Sequence, residues 1–119
     1  MNIKSIANTY ISLVTTGKSD TTIAEEIELA EGVIEKHSAA AIAATEHANK
    51  NPSNLTHTLA AKAHDDVTAA LERKINALLK GSGEHSAIAA HETQVALHKR
   101  HATAHRFVAW RLKKRSTNN

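Results

Sequence analysis

The chain has 119 residues, enough for one ordinary core and too few for two. It contains no cysteine, which excludes disulfides, thiolate metal sites and a cysteine nucleophile, and its formal net charge is only +3. Ala fills 22 positions, Gly and Pro number four and one, and the aromatics are Tyr10, Phe107 and Trp110, a composition that favours helix over sheet. The expected fold is all-α: an antiparallel bundle of three long helices plus one short N-terminal helix, a single domain over residues 1–119 with a frayed basic C-terminus.

The first element predicted is the short one. Ile3, Ile6, Ala7, Tyr10, Leu13 and Val14 follow the i, i+3, i+4, i+7 pattern of an amphipathic helix, which Thr15 to Asp20 then interrupts. Met1 to Val14 lacks the basic and apolar regions of a secretion signal, and no apolar run approaches about 20 residues. A cytoplasmic protein without a transmembrane segment is expected.

Thr22 followed by Glu25 reads as a capping box opening the first long helix. Its stripe, Ile23, Ile27, Ala30, Ile34, His37, Ala41, Ala44 and Ala48, alternates spacings of four and three, as coiled-coil packing requires. Asn49 to Asn54, with Pro52, is the strongest turn in the chain, and Ser53 or Asn54 caps the next helix. That helix is read to Lys80 with the stripe Leu55, Leu59, Ala63, Val67, Ala70 or Leu71, Ile75 and Leu78. At Gly81-Ser82-Gly83 a glycine can take the left-handed terminating conformation. The last helix carries Ile88, His91, Val95, His98, Ala102, His105, Ala109 and Leu112 at the same alternating spacings, then frays over Ser116 to Asn119. Short loops make sequential helices antiparallel neighbours.

Nine histidines are present, and they lie along the packing stripes rather than in a run. With the long helices running up, down and up at 1.5 Å per residue, His37, His64, His98 and His101 fall at heights of about 21 to 26 Å. His47, His57 and His105 form a second layer at about 31 to 37 Å. Such layers suit nitrogen-seeking Zn, Ni, Cu or Co, or a haem iron held axially. They also suit a pH response, since neighbouring imidazoles would charge together as pH falls. The plainer reading is an Ala-rich seam that tolerates hydrogen-bonded histidine, and with it no cofactor is expected.

Charge is unevenly distributed. Asp20, Glu25, Glu26, Glu28, Glu31 and Glu35 form an acidic block, whereas from Lys99 onward there are seven basic residues and no acid. Lys99, Arg106 and Lys113 recur every seven residues and so share a helical face, with Arg100, Arg111, Lys114 and Arg115 nearby. With Phe107 and Trp110 they form a candidate partner-binding surface for nucleic acid or an acidic protein surface. A solvated helix end, or a basic helix lying on anionic lipid, would show the same pattern.

No Gly-rich phosphate loop, His-Glu-x-x-His helix or Gly-x-Ser-x-Gly elbow occurs, and catalysis is not expected. The inventory of large apolar residues is small: nine Ile, nine Leu and five Val. So thin a core predicts a homo-oligomer. The leading expectation is a small non-catalytic interaction or regulatory protein that self-associates through Ala-rich seams and docks its basic C-terminal helix on an anionic macromolecule. The alternative is a histidine-layered metal- or haem-binding bundle.

Overall fold

A computed structural model describes residues 22–81 and 85–117. The short helix expected over Ile3 to Val14 lies outside the described residues. Within them the chain forms three helices, α1 (Ile23–Lys50), α2 (Asn54–Lys80) and α3 (His85–Thr117). None of these helices is long and apolar enough to cross a membrane.

Side-chain caps set the helix starts. The Thr22 hydroxyl oxygen accepts from the Glu25 amide at 3.1 Å and its hydroxyl hydrogen is donated to the Glu25 carboxylate, so the cap closes through the hydroxyl. Ser53 caps α2 in a reciprocal box: its hydroxyl accepts from the Thr56 amide, and its own amide donates to the Thr56 hydroxyl, both at 3.0 Å. At the end of α2, Gly81 is extended, at φ −89° and ψ −178°, and its amide donates to the Ala77 carbonyl, so the left-handed conformation is not taken at Gly81; Ser82 and Gly83 lie outside the described residues. Helix α3 is described through Thr117.

Cross-helix contacts give the antiparallel register. Glu26 and Glu31 of α1 meet Lys80 and Lys74 of α2 at 3.6 and 3.2 Å. Along α2 and α3, Asn54 donates to the Ala109 carbonyl at 2.9 Å, Asp65 pairs with Arg106, and Glu72 stands 3.7 Å from Lys99. In each case the residue number rises on one helix as it falls on the other. Helix α2 is central: α1 and α3 both pack along it, and no Cα of α1 comes within 8 Å of a Cα of α3. An open groove is left between the two flanking helices.

Because α2 has two neighbours, it buries two adjacent stripes. One is His57, Ala61, His64, Thr68, Leu71 and Ile75, all buried, and its imidazoles meet α3. The other runs Thr56, Ala60, Ala63, Val67, Ala70, Lys74 and Ala77, facing α1 through the Glu31–Lys74 pair. The single stripe expected from Leu55 and Leu59 is therefore corrected. Those leucines are 65% and 51% exposed, since they fall on a third stripe with Lys62, Asp66 and Arg73 that faces water. Helix α3 has one neighbour and one stripe, the expected one: Ile88, Ala102 and Ala109 are buried, and His91, Val95, His98, His105 and Leu112 are half-buried. The compact core is Ala41, Val67 and Leu71, with Ile34, Ala63 and Val95 packed against it.

The two-stripe register makes a direct forecast for stability. Leu71→Ala should cost about 2 to 5 kcal/mol in urea denaturation, the usual cost of emptying a buried leucine site. Leu55→Ala should change stability by no more than about 0.5 kcal/mol, as expected for an exposed site. Equal losses at the two positions would contradict the register.

Candidate functional site

The two predicted histidine layers come together as one continuous cluster on the α2–α3 seam. His57 and His64 are seven residues apart on α2, as are His98 and His105 on α3, so the antiparallel register sets them opposite in pairs. The Nδ1 atoms of His64 and His98 lie 2.8 Å apart, and those of His57 and His105 lie 2.9 Å apart. These are hydrogen-bond distances, and each contact needs one nitrogen bearing a proton and one bearing a lone pair.

His101, one turn from His98, joins through its ring. The centroid of His64 lies 5.1 Å from that of His101, with the planes 21° apart, and 5.6 Å from that of His105, at 15°. The Thr45 hydroxyl of α1 stands 3.1 Å from Nε2 of His64. Two tautomer assignments satisfy these contacts: either His64 Nε2–H donates to Thr45 and its Nδ1 accepts from Nδ1–H of His98, or the Thr45 hydroxyl donates to His64 Nε2 and His64 Nδ1–H donates to His98 Nδ1. No buried side-chain nitrogen or oxygen among the described residues lacks a partner.

His37 and His47, expected in the layers, are not brought to the cluster. His47 lies on an exposed face 3.5 Å from the Asn51 amide, and no ring contact joins His37 to the others. The layer model assumed three mutually packed helices, whereas α1 does not approach α3 and presents Thr45 to the cluster instead. His64, His98 and His101 line the groove between α1 and α3 with Ser38, Ala41, Ile42, Thr45 and Glu46, around a volume of about 380 Å³.

Burial, with mutual repulsion, favours the neutral form of His64, His98 and His105. Desolvation, followed by the charges of His98, His101 and His105, lowers His64 from the ordinary 6.5 to about 4, with Asp65 opposing weakly. His98 is lowered by burial and then by His101, and His105 by burial and then by His57 and His101. The neutral form is the one that both the N–H···N contacts and metal ligation use. As the rings stand, no group of three or more His, Asp or Glu among the described residues forms a metal cage.

The predicted basic surface is split in two. Lys99 and Arg106 are engaged by Glu72 and Asp65, carboxylates that are themselves seven residues apart on α2. Asn54, the first residue of α2, bonds the Ala109 carbonyl, so α3 from Trp110 to Thr117 projects about 12 Å beyond it at 1.5 Å per residue. This arm carries Arg111, Lys113, Lys114 and Arg115. The rings of Phe107 and Trp110 sit 6.1 Å apart, 56% and 55% exposed. Arg111 lies over Phe107 at 5.9 Å, and Lys114 over Trp110 at 5.0 Å. Arg100 is exposed on α3, among the residues that run alongside α2 rather than on the arm.

Compared with known proteins, the chain matches no family model, no curated protein and no solved structure.

The imidazole pairs carry a pH forecast. With His64, His98 and His105 lowered, the unfolded chain binds more protons than the folded one between pH 6.5 and about 4. Stability is therefore complete above pH 6.5 and lost as pH falls through that window. In chelator, the thermal midpoint at pH 5 should lie roughly 5 °C or more below that at pH 7.5, the shift that about 1 kcal/mol produces in a domain this size. A midpoint independent of pH would reject the shared-proton pairing.

Proposed function

We propose that this is a small non-catalytic interaction protein that self-associates and docks the C-terminal arm of α3 on nucleic acid. The observation that carries the reading is the arm itself: four cations and the half-exposed ring of Trp110 on a helix end that projects past its neighbour, with the exposed ring of Phe107 at its base. Cations at helical spacing neutralise phosphates and release their counterions, and flat exposed rings give bases a surface to stack on. Phe107, Val108, Arg111, Leu112 and Arg115 surround a shallow hollow of about 170 Å³ that combines both characters.

Self-association is supported by apolar surface away from the arm. Leu55 and Leu59 are exposed on the outer stripe of α2, and Ile42 is 62% exposed at the edge of the groove. The core beneath is made largely of alanine, which buries little area per residue.

Fluorescence anisotropy with a labelled single-stranded oligonucleotide tests the docking. Binding should weaken as salt rises. Replacing Arg111, Lys113, Lys114 and Arg115 together by alanine should weaken it roughly tenfold or more, with helicity unchanged by circular dichroism. Arg106→Ala should matter less, since Asp65 already holds that guanidinium. Unchanged affinity in the four-residue variant would overturn the proposal. Binding to polyglutamate but not to the oligonucleotide would assign the arm to an acidic protein surface instead.

A further inference from the structure

We infer that His64, His98 and His101 bind one divalent d-block ion of the zinc type, at the floor of the groove between α1 and α3. The site is separate from the basic arm and does not depend on what the arm binds.

Three features point there. The first is spacing. Two nitrogens on one tetrahedral zinc stand about 3.3 Å apart, given Zn–N bonds of about 2.0 to 2.1 Å, and their ring centroids then stand about 5 Å apart. The centroids of His64 and His98 are 5.0 Å apart and those of His64 and His101 5.1 Å, both at that spacing, while those of His98 and His101, at 6.5 Å, have to close by about 1.5 Å. The 2.8 Å Nδ1 contact between His64 and His98 has to open by about half an ångström, and the stacked His101 ring has to turn and move toward His98, for an ion to enter. No helix has to move by a turn.

The second feature is the outer partner. A metal-bound imidazole characteristically donates its other N–H to an oxygen that fixes its tautomer and orientation. Thr45 supplies that oxygen, 3.1 Å from Nε2 of His64, leaving Nδ1 of the same ring directed at His98. No proton has to leave the protein on binding: each neutral imidazole keeps one N–H and offers one lone pair, with whichever of His64 and His98 carries the shared Nδ1 proton moving it to Nε2.

The third is access and donor type. His64, His98 and His101 line the open groove together with Glu46, so a water or an outside oxygen donor can complete four-coordination. With no cysteine in the chain, the donor set is nitrogen and oxygen, which suits Zn²⁺, Ni²⁺ and Cu²⁺ rather than a thiolate-seeking ion. His57 and His105 make the same kind of pair, but they do not line the groove.

The test is calorimetric titration of untagged, chelator-stripped full-length protein with Zn²⁺ at pH 7.5, with bound metal counted by mass spectrometry after gel filtration. One ion per chain at micromolar affinity or tighter is expected. The variant His98→Ala/His101→Ala, at half-buried and exposed positions, should keep its helicity and lose the ion, whereas His37→Ala/His47→Ala should bind as the wild type does. Thr45→Val should weaken binding by roughly tenfold while leaving the ligand count unchanged, the usual effect of losing an outer partner. Substoichiometric loading, or equal loss in the two double-histidine variants, would overturn the assignment and reduce the effect to adventitious surface binding.

Discussion

Hydrogen bonds between neutral imidazoles, two of them along one helix seam, are the interaction on which the arrangement of this protein turns. Histidine is a poor filler for an apolar seam unless each ring nitrogen finds a partner, because an unmatched buried polar atom costs more than a matched one contributes. Here the heptad spacing of His57 and His64 on α2 answers that of His98 and His105 on α3, so one antiparallel register satisfies both pairs at once. A slip by a residue would leave four imidazoles without their contacts. The ion pairs Asp65–Arg106 and Glu72–Lys99 run in the same register on the rim of the seam, where exposed pairs add little energy. The alanines between them let the backbones approach closely enough for short imidazole contacts to form.

This seam also accounts for the shape of the site and the fate of the charges. Since α2 spends one stripe on α3 and a neighbouring stripe on α1, the flanking helices stand apart and a groove opens above His64. Lys99 and Arg106 are paired with carboxylates of α2, so that beside exposed Arg100 the basic residues of α3 are concentrated in the stretch beyond Asn54. The same seam that gathers the imidazoles therefore leaves the arm projecting, and two chemically different surfaces result from one helix: nitrogen ligands in its middle, cations and aromatic rings at its end.

Much of the fold was legible because helix signals here are strong. The caps at Thr22 and Ser53, the break around Pro52 and the stripe of α3 all follow from spacing and turn chemistry. The stripe of α2 was legible from Ala63 onward, where Ala63, Val67, Ala70, Leu71, Ile75 and Leu78 are buried or half-buried. Its start was not, because hydrophobicity pointed to Leu55 and Leu59, whereas the first turns pack through Thr56, His57, Ala60 and Ala61. A helix with two neighbours needs two stripes, and a search for one does not separate them. For the site, rise per residue correctly grouped His64, His98 and His101, and grouped His57 with His105. It misplaced His37 and His47 because height alone does not say which helices touch. The signal for the ion-pair register was present, in the matching seven-residue spacings of Asp65/Glu72 and Lys99/Arg106. Nothing in the sequence marked Thr45, which acquires its role only from the way α1 crosses His64.

The central claim is that His64 and His98 share one proton between neutral rings in the folded chain. Nitrogen-15 NMR of the histidine side chains, followed from pH 8 to pH 4 in chelator, reads this directly. The account predicts that His64 and His98 stay neutral with complementary tautomers, one Nδ1 protonated and the other not, below the pH at which ordinary imidazoles charge. Titration of both rings near 6.5 as independent groups, with no preferred tautomer, would contradict it.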